Sequence, residues 1–201
     1  MKQEEKNKKS REAILAAAEE EFAQNGYAQS SVNAICARGG IPKGLLYYYY
    51  KDKDALYLLC AERCFLNLAH YLQELLASQP ITPEAYFQAR LDYFRANEMQ
   101  QRLFCDAVIN PAEHLVAALR ERKRVLDELN AQLLTQILQG HELADGLTLA
   151  DAVSQLRLFA DFLNANLRAL GAFSLSPEKY NHLCEQAVHT MLYGLIARKE
   201  D

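Results

Sequence analysis

A chain of 201 residues, half of them apolar and about a quarter charged, excludes wholesale disorder. It leaves room for one large domain or for a small domain joined to a larger one. Eight glycines, five prolines and a predominance of Leu, Ala, Glu, Gln and Lys favour an all-α protein. No stretch approaches the roughly 20 apolar residues of a membrane span, and the charged start Met1–Arg11 does not read as a signal peptide. A cytoplasmic protein with no membrane partner is expected. Five cysteines without a secretory signal argue against a disulfide framework. Cys60 and Cys64 lie at i and i+4, but no further ligand converges on them in sequence, so no metal is expected there and small buried fillers are. The net charge of −4 is uneven. Residues 1–53 hold nine Lys and Arg against seven Asp and Glu, and the remainder holds thirteen against nineteen. Lys6, Lys8, Lys9 and Arg11 crowd the start, so the N-terminal quarter is the basic part.

In chain order, Ser10 can cap a first helix that begins near Arg11, with Ile14, Leu15, Ala18 and Phe22 at helical spacing. Asn25-Gly26 ends it, Gly26 suiting a left-handed position, and Tyr27 packs back on the helix end. Ser30-Ser31 opens a short helix whose apolar face is Val32, Ile35 and Cys36. Arg38-Gly39-Gly40 breaks it. Pro42 suits the first residue of a third helix that runs to Tyr49. Lys51-Asp52-Lys53 is a polar break with Asp52 as N-cap, and a long helix follows over about 53–77, apolar on several sides. Helical patterns then cover about 84–96, 98–109 and 112–139. Gly140 to Leu147 reads as a loop, and Thr148 with Asp151 as a capping box for a helix to about Ala169. Ser176-Pro177 opens a last helix to about Ala197.

The informative stretch is residues 30–56, SSVNAICARGGIPKGLLYYYYKDKDAL. Two short helices around a tight glycine turn have the shape of a helix-turn-helix, whose second helix enters the major groove of DNA. Gly39 and Gly40 permit the turn. Gly44 in the first turn of the third helix costs about 1 kcal/mol of propensity, which close approach of the backbone to DNA would justify. Lys43 suits donation to guanine O6 and N7. Tyr47, Tyr48 and Tyr49 cover most of the helix circumference, so at least one faces outward, where a phenol can donate to phosphate. Lys53 adds a cation to the positive end of the long helix, an anion site.

At Ser31, Ile35-Cys36, Gly39-Gly40-Ile41-Pro42, Gly44, Leu46-Tyr47, Tyr48-Tyr49-Tyr50 and Lys51-Asp52-Lys53-Asp54-Ala55-Leu56 the chain resembles the TetR family of bacterial transcriptional regulators. Ile14, Ala17, Ala18, Phe22 and Gly26-Tyr27 are similar to that family's first helix. The chain departs from the family pattern at Cys36 and Gly39, which stand for Ala, at Pro42, which stands for a capping Ser or Thr, and at Tyr50, which stands for a core Phe. The resemblance implies an all-α fold of about nine helices, with a helix-turn-helix DNA-binding domain at 1–52 and a helical effector-binding and dimerisation domain at 53–201. It implies phosphate contacts from Ser31, Tyr48, Tyr49 and Lys53, and base-edge contacts from Asn33, Lys43, Gly44, Leu45 and Tyr47. Leu46, Ile35 and Tyr50 would hold the three-helix core.

The resemblance also implies a small, largely apolar effector bound beyond residue 53. Candidate lining residues are Cys64, Tyr71, Phe87, Tyr93, Phe94 and Phe104, with Cys105, His114, Phe159, Phe162 and Asn166. The last two helices offer Leu156, Phe159, Leu163, Ala187, Met191 and Leu195 to a homodimer interface. A dimer is expected physically, because one short helix reads too few bases and two related by a two-fold axis read a palindrome. No GxSxG, P-loop, HExxH or GxGxxG is present, so neither catalysis nor a cofactor is expected. The competing reading is a helical ligand-binding or protein-interaction module that does not bind DNA. A helical enzyme is a third and finds no candidate residues.

Overall fold

The computed structural model describes residues 2–77, 82–139, 142–144, 146–156, 158–159, 179, 182–183, 185–187 and 189–190. The fold is all-α. In chain order come α1 (Lys2–Gln29), α2 (Val32–Gly39), α3 (Lys43–Tyr49), α4 (Lys53–Leu76), α5 (Pro83–Ala96), α6 (Glu98–Ile109), a 3-10 turn (Glu113–Leu115) and α7 (Val116–Gln139). Residues 149–156 and 158–159 are helical as well. Among the described residues no helix is long and apolar enough to cross a membrane.

Two compact units are present. The first takes its described residues from Met1–Leu66 and Asn97–Lys123, the second from Asn67–Ala96 and Arg124–Asp201. The expected division at residue 53 is not where packing divides the chain, since the first part of α4 lies in the first unit. By packing, α6 and the start of α7 belong with the helix-turn-helix.

The core of the first unit follows the spacing of its apolar residues. Ile14, Ala18 and Phe22 recur every four positions, lie on one stripe of α1, and are fully buried. Ile35 of α2, Leu46 of α3, Leu56, Tyr57, Cys60 and Cys64 of α4, and Leu103 of α6 are also fully buried, and the Phe22 ring meets that of Tyr57 edge to face at 5.0 Å. α1 packs on both α2 and α6. Cys60 and Cys64 are free thiols, and burial pushes both well up from their ordinary range. They behave as apolar fillers, as the sequence suggests.

α1 begins at Lys2, not near Arg11. Its far end is interrupted at Gly26 (φ 69°, ψ 169°), a backbone conformation glycine adopts without strain, and helix resumes to Gln29. In the second unit Leu138, Ala152 and Leu156 form a buried cluster, with Leu134, Leu143, Leu147, Leu149 and Val153 packed around it. Of the expected capping box at 148 and 151, one half is seen: Thr148 Oγ1 accepts from the Asp151 N–H at 3.2 Å, and its hydroxyl donates to the Asp151 carboxylate, ahead of the helix that starts at 149.

Candidate nucleic-acid interface

The helix-turn-helix is built from caps inward. Ser31 is the N-cap of α2, its extended backbone (φ −140°, ψ 153°) placing Oγ 3.1 Å from the Ala34 N–H. Gly40 ends α2 in the left-handed conformation (φ 60°, ψ 32°) and donates to Ala37 O, while the Ile41 N–H donates to Cys36 O at 2.9 Å. Gly39 is needed for a different reason. A Cβ there would sit 2.4 Å from Ile41 Cδ1 and 2.9 Å from Ala17 Cβ, so the missing side chain lets the turn lie against α1. Pro42 (φ −60°, ψ 130°) is the N-cap of α3 and not its first residue, as the sequence had suggested. It makes no side-chain cap. The proline carbonyl accepts from the Leu45 N–H at 2.9 Å, which closes the first turn without one.

α3 is anchored by Leu46, which is fully buried. Its other side is open. Lys43 and Gly44 are exposed, Tyr47 is 48% and Tyr48 75% exposed, and Leu45 and Tyr49 are half-buried. A Cβ built at Gly44 meets nothing within 4 Å, so no part of the chain itself requires glycine there. The Lys43 ammonium lies 5.9 Å from the Tyr47 ring centroid, and the Tyr48 and Tyr49 rings meet edge to face at 4.9 Å. Ser31 and Asn33 are exposed at the start of α2. Six of the nine residues expected at DNA thus share the exposed rim of α2 and α3.

Tyr49 and Lys53 are committed within the chain. The Tyr49 hydroxyl donates to Asn7 Oδ1 at 3.0 Å, and the Arg11 guanidinium stands 5.2 Å from its ring centroid. The Lys53 ammonium donates to Tyr27 O at 2.9 Å and Ser30 O at 3.2 Å and covers the Tyr27 ring at 3.9 Å. Those carbonyls end the first helix, so Lys53 acts as a C-terminal cap of α1 and has one donor left for a phosphate. Asp52 caps α4 as expected, accepting from the Ala55 N–H at 2.8 Å. Tyr50, expected in the core, is half-buried, and that burial raises its hydroxyl pKa.

A half-buried polar network that sequence reasoning missed holds the other side of this unit. Asp106 of α6 accepts from the Tyr27 N–H at 3.0 Å and from the Tyr57 hydroxyl at 2.6 Å. It joins the kink of α1, α4 and α6. Burial pushes the Asp106 carboxyl up, opposed by those two hydrogen bonds. The Tyr27 hydroxyl donates to Asp54, whose carboxyl is held below its usual range first by that bond. Tyr27 therefore packs toward α4, with its ring 4.9 Å from that of Tyr57, and does not fold back on α1. A lone aspartate in the apolar run RLFCDAVI, one turn from Leu103 and next to Ala107, was the available signal.

The expected effector-lining residues divide between the units. In the first, Cys64 is buried with its thiol 3.2 Å from Gln100 O, Phe104 is buried against Phe65, and Cys105 is half-buried. His114 is exposed, its Nε2 3.0 Å from Asp54 Oδ2, which makes it a surface hydrogen-bond partner and not a cavity wall. In the second, Tyr93 and Phe94 are buried and Tyr71 is half-buried, its ring 5.1 Å from that of Tyr93. The side chain of Phe87, and Phe162 and Asn166 altogether, lie outside the described residues. So do Leu163, Met191 and Leu195 of the expected dimer seam. Leu156, expected there too, is 2% exposed and packs within its own unit, while Phe159 and Ala187 are half-buried. A surface hollow of about 300 Å³ in the first unit is lined by Glu20, Ala23, Gln24, Glu98, Met99 and Arg102, none of them an expected effector residue. Among the described residues no three His, Cys, Asp or Glu converge as a metal site needs.

With this geometry in place, residues 14–60 match the family described as bacterial regulatory proteins, tetR family. Over these residues the chain is similar to the N-terminal region of that family. The chain is 30% identical over 129 residues to the HTH-type transcriptional repressor BepR of Brucella suis biovar 1 (strain 1330), across 62% of this chain and 60% of that protein. It is 29% identical over 136 residues to the HTH-type transcriptional regulator RutR of Escherichia coli (strain K12), across 65% and 63%. The chain thus spans less than two thirds of the length of these relatives. The solved structure of the transcriptional regulator FadR from Bacillus subtilis in complex with stearoyl-CoA shares the fold (TM-score 0.67, 17% identity, 92% of this chain and 98% of that one). Against the TetR pattern, Gly39 and Pro42 now have reasons: one clears Ala17 and Ile41, and the other starts α3 through its carbonyl.

Proposed function

We propose that this chain is a cytoplasmic DNA-binding transcriptional regulator, a repressor that binds a palindromic operator as a homodimer and releases it on binding a small, largely apolar effector. The single observation that carries the reading is the outward face of α3. Gly44 stands where helix propensity and internal packing both permit a larger residue, beside exposed Lys43, Tyr47 and Tyr48. A backbone that must come close to a groove explains that combination. In this reading residues 1–52 bind DNA and 53–201 serve effector binding and dimerisation. Ser31 and Tyr48 hold phosphates, with the third donor of Lys53. Asn33, Lys43, Gly44, Leu45 and Tyr47 face the base edges.

The second unit's aromatic residues, Tyr71, Tyr93 and Phe94, are the proposed effector side. An acyl-CoA on the FadR neighbour fits an apolar effector class. Asp106 supplies a physical route for the signal, since a displaced α6 would pull on Tyr27 and Tyr57 together and so on the frame that holds α3. No enzymatic activity is proposed.

The test is selection of duplexes from a random-sequence pool by the intact chain, repeated with Lys43→Ala. The parent should enrich a palindrome, and the variant should lose preference at one position per half-site, equivalent to about 1–3 kcal/mol of discrimination. A parent chain that retains no duplex in a salt-dependent manner would leave the DNA-free helical module as the reading.

A further inference from the structure

Residues 2–11 carry five cations (Lys2, Lys6, Lys8, Lys9, Arg11) against two carboxylates (Glu4, Glu5), and they are helical from Lys2 on. A charged segment of this length does not hold a helix alone in water, where isolated helices are marginal below about 12–15 residues. It continues α1, and it is fastened to Tyr49. The Tyr49 hydroxyl donates to Asn7 Oδ1 at 3.0 Å, and the Arg11 guanidinium lies 5.2 Å from the Tyr49 ring centroid. Tyr49 is the last residue of α3. The arm is therefore tied to the end of the helix that faces DNA.

A phenol has one proton to donate. With it committed to Asn7, Tyr49 has none for a phosphate, and its part at the interface becomes that of a positioning residue. Helix geometry then sorts the cations. Successive residues turn by about 100°, so with Asn7 against Tyr49, Lys6 and Lys8 emerge on the two flanks of that seam, while Lys9 points away from it. All three are exposed.

We propose that the N-terminal segment Lys2–Arg11 is a second phosphate-binding element, held in register with α3 through Tyr49 and Asn7, and that Lys6 and Lys8 bind duplex phosphates beside the bases that α3 reads. This rests on the DNA-binding reading above. The occupant is duplex DNA because the arm is contiguous with the α3 face and its excess charge is complementary to the backbone.

The experiment uses the full chain and the duplex the parent selects, with affinity measured across a salt series. Lys6→Gln/Lys8→Gln should lower the magnitude of the log–log salt slope by about 2 per bound protomer and weaken binding by about tenfold or more at moderate salt. Lys9→Gln should have the smaller effect. Tyr49→Phe should weaken binding in the parent, and it should add little in the Lys6→Gln/Lys8→Gln background, because both changes remove one contact system. A double lysine variant with the parent's affinity and slope overturns the proposal alone, and a parent that binds no duplex overturns the regulator reading with it. Equal losses from Lys9→Gln and Lys6→Gln would show diffuse charge instead of a positioned arm. A full, additive Tyr49→Phe loss would return Tyr49 to a direct DNA contact. Either result overturns the proposal.

Discussion

α2 and α3 are similar objects, helices of eight and seven residues on either side of a tight turn, and the chain treats them oppositely. α2 is closed at both ends, by Ser31 at its start and left-handed Gly40 at its finish. Its Arg38 is held by Glu21 at 2.9 Å and Gln24 at 2.8 Å, and Ile35 is fully buried. α3 has no side-chain cap, a glycine in its first turn, one fully buried anchor and two tyrosines facing out. A helix so poorly satisfied by its own chain is stabilised through Leu46 and leaves Tyr47 and Tyr48 exposed. α2 is the support, and α3 is the part it presents.

The largest effect should come from removing that anchor. Leu46→Ala should cost about 2–5 kcal/mol of stability by chemical denaturation of the full chain. A loss under about 0.5 kcal/mol, the size of an ordinary surface change, would mean that α3 does not depend on it. Glycines sharpen the contrast. Gly26→Ala meets a positive φ of 69° and places a Cβ 2.8 Å from Asp106 Oδ1, so it should cost about 1–3 kcal/mol. The same change at Gly44 meets open space and should stabilise the fold by about 0.5–1 kcal/mol while weakening operator binding. If Gly44→Ala leaves DNA affinity intact, the glycine is not there for the groove.

The smallest expected effect is one of pH. Burial raises the Asp106 carboxyl from its ordinary 3.8, so the native state holds more protons than the unfolded state between that value and the raised one. Stability from this group is therefore present at low pH and lost as pH rises through the window. Compared by urea unfolding at a series of pH values, the parent's advantage over Asp106→Asn should shrink above 3.8 and then level off. An advantage that grows with pH would mean that the bonds from Tyr27 and Tyr57 outweigh burial.

Much of this could be read from the residues in order. Local rules act over three or four positions, and they placed the cap at Ser30-Ser31, the turn at Gly39-Gly40, the cap at Asp52 and a core stripe through Ile14, Ala18 and Phe22. They also marked α3 as the outward helix, because three consecutive tyrosines cannot share one buried face. Relations between residues far apart in the chain were decided only by the tertiary structure. Tyr49 and Asn7 are 42 positions apart, and Tyr57 and Asp106 are 49 apart. Lys53 turned inward to carbonyls that a reading of its own helix end could not foresee. The start of α1 belongs with these. Its composition alone does not hold a helix, and it became one through continuity with α1 and the contacts of Asn7 and Arg11 with Tyr49 of α3. The sequence by itself determined which helices exist and which one reaches outward, since periodicity and capping are local. Which polar groups are left free for that task depends on partners that only folding brings within hydrogen-bonding distance.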